Sequence, residues 1–254
     1  MGSFPAERQV ILITGANSGI GFDTAKLLAS VSSKNHVLIG SRNATKGKTA
    51  LQQIQDRNPK GTASLVQLDA DDDTSIHTAV HHVEQEFGRL DVLINNAGIS
   101  KEAYESQWPS RENLRAQFET NVFGPTILSA ALIPLLRRSK DPKIINVSSS
   151  VGSISLCASG QNGIRVPGYR MTKSALNMLT AYQYQEMKDE GFKVWSYCPG
   201  FVATNISGDQ EWRKTMEGCD SSETSAQGIL EILEGQRDSE VGQFLQRYGK
   251  RYDW

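Results

Sequence analysis

The chain has 254 residues and a mass of 27.9 kDa, with 38% hydrophobic and 22% charged residues, a profile typical of a folded globular protein. Its 27 basic and 28 acidic residues nearly cancel, so the composition predicts no surface for nucleic acid or for an anionic membrane. No long apolar run predicts a membrane-spanning helix. Three cysteines without C-x-x-C spacing, and a start that lacks a signal-peptide pattern, lead us to expect reduced thiols and a cytoplasmic location.

Short apolar runs alternate with longer stretches of helical spacing along most of the chain. Runs rich in β-branched residues lie at 10–14, 36–40, 64–68, 91–95, 143–148 and 193–198. Such continuous runs are typical of strands buried on both faces of a parallel sheet. Ile76, Val80, Val83 and Phe87 fall on one stripe of a predicted helix. The alternation predicts an α/β fold, a doubly wound parallel sheet with helices on both faces, with 1–254 as a single domain.

The second half of the chain departs from this alternation in three places. A run at 242–246 predicts a late strand that closes one edge of the sheet. The stretches 152–168 and 205–222 have no clear period, and we expect loops or short helices over a binding site there. Trp212, in the second stretch, is a candidate substrate contact, and Trp254 either folds over the site or stays mobile.

A glycine-rich turn follows the first predicted strand. The segment TGANSGIG at 14–21 places Gly15, Gly19 and Gly21 just before a predicted helix. Glycines allow the sharp turn and the close backbone approach with which a helix N-terminus binds a pyrophosphate. The spacing is not G-x-G-x-x-G, and a tight strand–helix loop without a ligand has the same appearance. Its position after the first apolar run favours the phosphate-binding interpretation.

The second and third predicted strands end in residues suited to the adenosine half of a dinucleotide. An NAD site requires an acid after the second strand, whereas this chain has Ser41 and Arg42. Arg42 either meets a 2′-phosphate through charge-assisted hydrogen bonds or is an ordinary solvated arginine. Asp69 either accepts from an adenine amino group or caps a helix. The pattern favours NADP(H) as the cofactor.

Further segments carry polar groups suited to catalysis. Tyr169 and Lys173 form Y-x-x-x-K, which places both on one helix face about 6 Å apart along the axis. A charged lysine makes a nearby phenol easier to ionise. The remaining segments are NNAG at 95–98, TNVFG with Asn121, NVSSSVG at 146–152 and PGFVAT at 199–204.

Taken together, these segments resemble the short-chain dehydrogenase/reductase family. TGANSGIG, LDAD, NNAG, TNVFG, NVSSSVG, YRMTK and PGFVAT occur in the family's order over nearly the whole chain. The resemblance implies a Rossmann-type, NAD(P)-dependent oxidoreductase. It implies that Tyr169 is the general acid and that Lys173 lowers the pKa of Tyr169 and holds the ribose. It also implies that Ser149 orients the carbonyl oxygen and that Asn121 supports a water linked to Lys173.

The resemblance also implies a cofactor site and a neighbouring substrate pocket. The expected cofactor residues, beside Tyr169 and Lys173, are Gly15, Asn17, Ser18, Gly19, Ile20, Gly21, Ser41, Arg42, Asn43, Asp69, Asn95, Ala97, Gly98, Pro199, Gly200, Val202 and Thr204. Ile99, Val151, Phe201 and Ile206 flank these motifs, and they either line an apolar substrate pocket or pack in the core. We interpret His77 and His81 as a solvated helix face and expect no metal.

Two departures from the family pattern refine the prediction. Ser149 and Tyr169 are 20 residues apart, an insertion of about seven residues, and Ser18 stands where many NADPH-dependent members carry a basic residue. The longer spacing and the ending GQFLQRYGKRYDW resemble the carbonyl-reductase branch. We predict NADPH-dependent reduction of a bulky, apolar ketone or aldehyde, reversible to alcohol oxidation. The alternatives are C=C or C=N reduction, an isomerase or cyclase, and a redox-sensing binding protein.

The insertion also bears on assembly. Family members commonly associate through the helix of the Y-x-x-x-K motif, whose outward positions here include Met178 and Tyr182. We expect the insertion to cover this face, which favours a monomer over a homodimer or tetramer.

Overall fold

The computed structural model describes residues 5, 7–101, 108–161, 164–202, 204, 206 and 218–254. The strands are β1 (Gln9–Ile13), β2 (Asn35–Ser41), β3 (Thr62–Gln67), β4 (Val92–Asn95), β5 (Lys143–Val147), β6 (Lys193–Cys198), β7 (Phe244–Gln246) and β8 (Arg251–Tyr252). The helices are α1 (Gly19–Val31), α2 (Ala44–Gln55), α3 (Asp73–Phe87), α4 (Arg111–Phe118), α5 (Gly124–Leu136), α6 (Ile154–Ala158), α7 (Pro167–Met187) and α8 (Ser222–Leu233). All eight strands form one sheet in the order β3-β2-β1-β4-β5-β6-β7-β8.

Helices cover both faces of the sheet, as the continuous apolar runs predict. In β1, Ile11 and Ile13 pack in a core cluster with α1 and α8. Val10 and Leu12 of the same strand pack in a second cluster with α3 and α5. Successive residues of one strand point to opposite faces, so each strand contributes to both clusters. The predicted doubly wound fold with helices on both faces is confirmed.

The strand order reverses at β1, and this reversal positions the binding site. From β1 the chain builds outward through β2 and β3, then crosses to β4 on the other side of β1, with all these strands parallel. In doubly wound sheets a ligand binds outside the carboxyl ends of the strands at this switch point. The turns that follow β1 and β4 therefore border the expected binding crevice.

The edge of the sheet differs from the prediction. The run at 242–246 was expected to close the edge, but β7 lies parallel beside β6, and β8 pairs antiparallel with β7 on its outer side. The predicted late strand is present as β7, but its place at the edge is wrong, because β8 is only two residues long and contains no apolar run that would reveal it. Its pairing depends on the turn after β7, which brings Tyr252 opposite Phe244.

The insertion before the Y-x-x-x-K motif begins with a short 3₁₀ turn, Ser150–Gly152, followed by α6. Met178 and Tyr182 on α7 are 70% and 60% exposed. The expected cover over this face of α7 is therefore not found among the described residues, and the stated reason for a monomer fails. Most of 205–222, including Trp212, lies outside the described residues.

One continuous helical stretch, Arg111–Leu136, is long and apolar enough by composition to cross a membrane. Its apolar residues serve the core, because Leu128, Leu132 and Leu136 pack against β1, β4 and β5 in the second cluster. A buried core helix accounts for the composition.

Candidate active site

The glycine turn after β1 adopts a conformation that requires glycine. Gly15 and Gly19 have φ values of +63° and +55°, in the region that side-chain-bearing residues rarely adopt. A Cβ added to Gly15 would lie 3.0 Å from the Ala97 Cα, so the turn passes close to the segment after β4. Ser18 precedes α1 without forming a side-chain cap. The first N–H groups of α1 therefore donate no hydrogen bond to the Ser18 side chain, and a helix N-terminus of this kind attracts an anion.

A cavity of about 630 Å³ opens beside this turn. Thirteen of the residues predicted for cofactor or substrate line it: Gly15, Asn17, Ser18, Gly19, Ile20, Arg42, Asn43, Asp69, Ala97, Gly98, Ile99, Thr204 and Ile206. They come from the turns after β1, β2, β3 and β4 and from the segment after β6. The strand ends thus converge at the switch point, as the motif order implies.

Charged groups gather at the end of the cavity formed by β2 and β3. The Arg42 side chain is 71% exposed, and its Nε and Nη1 lie 3.9 and 4.0 Å from carboxylate oxygens of Asp69 and Asp71. Pairs at these distances and this exposure contribute little stability, so the arginine can turn to another anion. Asp69 does not cap α3, because Asp72 holds that position and accepts from the Thr74 N–H.

Sequence reasoning missed Lys46, which lines the same end of the cavity. Asn43 caps α2 by accepting from the Lys46 N–H, so Lys46 lies in the first turn of the helix that follows Arg42. The available signal was a second basic residue only four positions after Arg42, in the first turn of the helix that begins there. The cavity therefore has two cations at this end.

Several predicted cofactor residues support the cavity without lining it. Ser41 is fully buried and donates to the side chain of Asn17 at 3.2 Å and to the Asn43 carbonyl at 3.0 Å. Asn95 is also buried, and its amide donates to Ser129 and Asn146. Gly21, Pro199, Gly200 and Val202 likewise are not among the lining residues.

Asn96 lines the cavity in place of Asn95. Its side-chain amide donates to the Thr14 carbonyl at 2.8 Å, and its N–H donates to the Thr14 hydroxyl at 2.9 Å. Adjacent residues at a strand end point to opposite sides, so the NNAG motif alone does not tell which asparagine faces the cavity.

Tyr169 and Lys173 share one face of α7. The Lys173 Nζ lies 5.5 Å from the centroid of the Tyr169 ring and donates to the Val147 carbonyl at 2.9 Å. Lys173 is only 3% exposed. Burial lowers the pKa of Lys173 to about 8, while the neighbouring Cys198 acts in the opposite direction. The ammonium is therefore still mostly protonated at neutral pH.

Asn121 connects the cavity to α7. It lies in a π-helical turn, Glu119–Phe123, between α4 and α5. Its side chain accepts from the Ile99 N–H and donates to the Ile99 carbonyl, both at 2.8 Å, and it also donates to the Thr172 hydroxyl at 3.0 Å. The side chain of Asn121 is thus used by protein partners, and the predicted water that links Lys173 to solvent stays a prediction.

The structure distinguishes the two serines that follow β5. Ser148 is buried, and its hydroxyl donates to the Asn177 side chain at 2.7 Å. Ser149 is half-buried, and its hydroxyl accepts a long 3.4 Å contact from the Val151 N–H. Ser148 therefore has a structural partner, whereas the Ser149 hydroxyl retains its capacity to donate. Ser149 therefore remains the candidate for the serine that orients the carbonyl oxygen.

The catalytic candidates adjoin the cavity but do not line it. Gly98 borders both regions: a Cβ added there would lie 3.3 Å from the Asn121 Oδ1 and 3.6 Å from the Lys173 Nζ. Of the predicted substrate residues, Ile99 and Ile206 line the cavity, Phe201 is 38% exposed, and Val151 is buried in the 3₁₀ turn. Among the described residues no cluster of His, Cys, Asp and Glu could hold a metal ion.

Comparison with known proteins identifies the family. The family model described as short chain dehydrogenase matches residues 9–215. Short-chain dehydrogenase anuI of Penicillium roqueforti (strain FM164) is 39% identical over 218 residues, covering 83% of this chain and 85% of that protein. Carbonyl reductase (NADPH) 1 of Bos taurus is 29% identical, covering 93% and 95%. The crystal structure of NADPH-bound carbonyl reductase from chicken fatty liver matches with a TM-score of 0.83 at 29% identity, covering 97% of this chain and 99% of that one.

The chain belongs to the short-chain dehydrogenase/reductase family. It is an oxidoreductase that acts on carbonyl and alcohol groups, and its fold binds a nicotinamide cofactor. The residues present fit such a cofactor, because the glycine turn, the N-terminus of α1 and the two cations all border one cavity. The turn would hold the diphosphate, and Arg42, Lys46 and Asp69 would hold the adenosine half.

Proposed function

We propose that this protein reduces a bulky, apolar ketone or aldehyde with NADPH, and that the reaction is reversible to alcohol oxidation. The observation that carries the proposal is the contact at Gly98, where the cavity meets the Tyr169–Lys173 pair. Two cations at the adenosine end, without an acid at the end of β2, support NADP(H). The names of the bovine relative and of the chicken structure support the same cofactor and the same reaction.

A bound nicotinamide cofactor supplies the hydride for carbonyl reduction. Tyr169 donates its hydroxyl proton to the substrate oxygen, and the Ser149 hydroxyl donates a hydrogen bond to that oxygen. The buried ammonium of Lys173 stabilises the phenolate that remains, and such an interaction is strong where water is excluded. Asn121 holds Ile99 beside the site through two hydrogen bonds and thereby fixes one wall.

Apolar groups support a bulky, apolar substrate. Ile99 and Ile206 line the cavity, and the Ser100 N–H donates to the Ile206 carbonyl, which joins their two segments. Phe201, in the PGFVAT segment, is partly exposed and available for contact. Trp212 is kept as a proposed substrate contact outside the described residues.

The test removes one hydroxyl. Tyr169→Phe should lower kcat by about 10²–10⁴-fold with a panel of ketones and aldehydes, because a positioned general acid contributes that much. The dissociation constant for NADPH, measured by fluorescence, should stay within about twofold of wild type. Tyr182→Phe is the matched control, because this exposed tyrosine lies on the same helix. Near-normal turnover by Tyr169→Phe would contradict the assignment.

Assembly and location stay proposals. The sequence predicts a monomer in the cytoplasm, but the exposed Met178 and Tyr182 on α7 remove the reason given for a monomer and leave this face open to a second copy of the chain. Light scattering coupled to size exclusion tests the monomer, and a mass of twice 27.9 kDa that persists on dilution would contradict it.

A further inference from the structure

The residues after β7 lie against the segment that carries Ser149. We call residues 251–254 the C-terminal clamp and residues 149–155 the serine segment. The Ser153 hydroxyl donates to the Asp253 carbonyl at 2.7 Å. Ser155 donates to the main-chain oxygen of Trp254 through its N–H at 3.0 Å and through its hydroxyl at 2.8 Å. Three hydrogen bonds therefore join regions about 100 residues apart in sequence.

The clamp is itself anchored to the sheet. Phe244 of β7 is buried, and its ring stacks on Trp254 with centroids 5.6 Å apart and an interplanar angle of 13°. The same ring contacts Tyr252 at 5.2 Å. Aromatic pairs at these distances add about 0.5–1.5 kcal/mol to the burial of their surfaces. The clamp thus connects a rigid strand to the serine segment.

Tyr252 brings the clamp to the residue next to Ser149. Its ring packs on Phe244, and its hydroxyl lies near the side chains of Ser150 and Cys198. The Cys198 Sγ, at the end of β6, also accepts from the Ser150 N–H at 3.1 Å. Ser150 is therefore held by the end of β6, and the Tyr252 hydroxyl lies close to its side chain. Because Ser149 precedes it directly, the position of Ser150 constrains that of Ser149.

The opposite side of the serine segment contacts the helix that carries the proposed proton donor. The Gly152 carbonyl accepts from the Ser174 hydroxyl at 2.8 Å, and the Val151 carbonyl accepts from Arg170 at 3.2 Å. Both donors lie on α7, close to Tyr169 and Lys173 in sequence. The serine segment is thus enclosed between α7 and the clamp.

We propose that the C-terminal clamp positions the Ser149 hydroxyl relative to Tyr169, with Tyr252 and Trp254 as the positioning residues. Among the described residues the hydroxyl of Ser149 makes only the long contact to Val151, so the neighbouring residues determine its position. The proposal rests on the proposed function, because it gives Ser149 its role in carbonyl reduction.

The experiment combines kinetics with hydrogen exchange on the full chain. Tyr252→Phe keeps the ring on Phe244 and removes the hydroxyl. It should lower kcat about 3- to 10-fold, in line with the loss of one polar contact. Trp254→Ala should have a similar effect, and Trp254→Phe, which keeps a stacked ring, should restore most of the activity. The dissociation constant for NADPH should not change. Without cofactor, amides in 150–158 should exchange faster in Tyr252→Phe and Trp254→Ala.

Tyr248→Phe is the matched control, because it makes the same substitution in the same hairpin at an exposed side chain. Unchanged exchange in 150–158 overturns the proposal, and so does faster exchange with unchanged kcat. An effect of Tyr248→Phe equal to that of Tyr252→Phe also contradicts it. If wild type reduces no carbonyl, the proposed function fails, and hydrogen exchange still decides whether the clamp holds the serine segment.

Discussion

The cofactor cavity and the catalytic cluster are built in different ways. In the cavity the charged groups are open, as in Arg42, which is 71% exposed and only loosely paired. In the catalytic cluster two polar groups, Lys173 and Asn121, are buried and hydrogen-bonded to protein partners. A surface that must accept a large anion keeps its cations available, whereas groups that act on a reacting atom benefit from fixed positions. The carboxyl ends of neighbouring strands in one sheet provide both the open cofactor cavity and the buried catalytic groups.

The sharpest expected contrast within the catalytic cluster concerns the two serines after β5. Ser149→Ala should lower kcat by about 10²–10³-fold, as expected for the loss of a hydrogen-bond donor to a developing oxyanion. Its unfolding free energy should change by less than about 0.5 kcal/mol. Ser148→Ala should leave kcat nearly unchanged. It should lower the unfolding free energy by about 1–2 kcal/mol, because the hydroxyl of Ser148 is buried against Asn177. Steady-state kinetics and urea unfolding of both variants check this. The opposite pattern would show that Ser148 faces the substrate.

The buried lysine should reduce stability in a pH-dependent way. Burial lowers the pKa of Lys173 from 10.5 to about 8, which corresponds to roughly 3 kcal/mol of cost for the charged form. Lys173→Met removes this cost but also loses the hydrogen bond to the Val147 carbonyl. It should therefore be more stable than wild type at pH 7 by roughly 1–3 kcal/mol. It should also be inactive.

The sign of the pH dependence follows from proton binding. Between pH 8 and 10.5 the unfolded chain holds a proton on Lys173 that the folded chain has released. Wild type therefore gains stability over this range, and the amount by which the unfolding free energy of Lys173→Met exceeds that of wild type shrinks. Urea unfolding of both proteins at pH 7 and pH 10 measures this difference. A difference that grows with pH would contradict the buried, destabilising lysine.

The open end of the cavity should control cofactor preference. Wild type should prefer NADPH over NADH by about 10- to 100-fold in kcat/KM, and Arg42→Ala should remove most of this difference while NADH kinetics stay nearly unchanged. Lys46→Ala should have a smaller effect in the same direction. Lys48→Ala, on the same helix but outside the cavity lining, is the control and should change nothing. Equal use of both cofactors by wild type would contradict a 2′-phosphate contact.

Much of the fold and of the cavity was predictable because strands buried on both faces appear as uninterrupted apolar runs, and each motif directly follows one. The apolar stripe of α3 was predictable from its helical spacing and is confirmed, with Ile76 and Val83 buried and His77 exposed. What could not be predicted depends on contacts between distant segments. The choice between Asn95 and Asn96 depends on the direction of a side chain at a strand end. The two-residue β8 has no pattern of its own. The hydrogen bonds that Asp253 and Trp254, directly after it, accept from Ser153 and Ser155 exist only in the folded chain.

The most direct test of carbonyl reduction uses a substrate with both reducible bonds. An α,β-unsaturated ketone, incubated with the enzyme and NADPH deuterated on the transferred position, reports which bond is reduced when the product is analysed by mass spectrometry and NMR. The account predicts an allylic alcohol with deuterium on the carbon that bears the new hydroxyl, and no such product from Tyr169→Phe over the same interval. A saturated ketone with deuterium on the β-carbon would contradict it and would assign the site to C=C reduction.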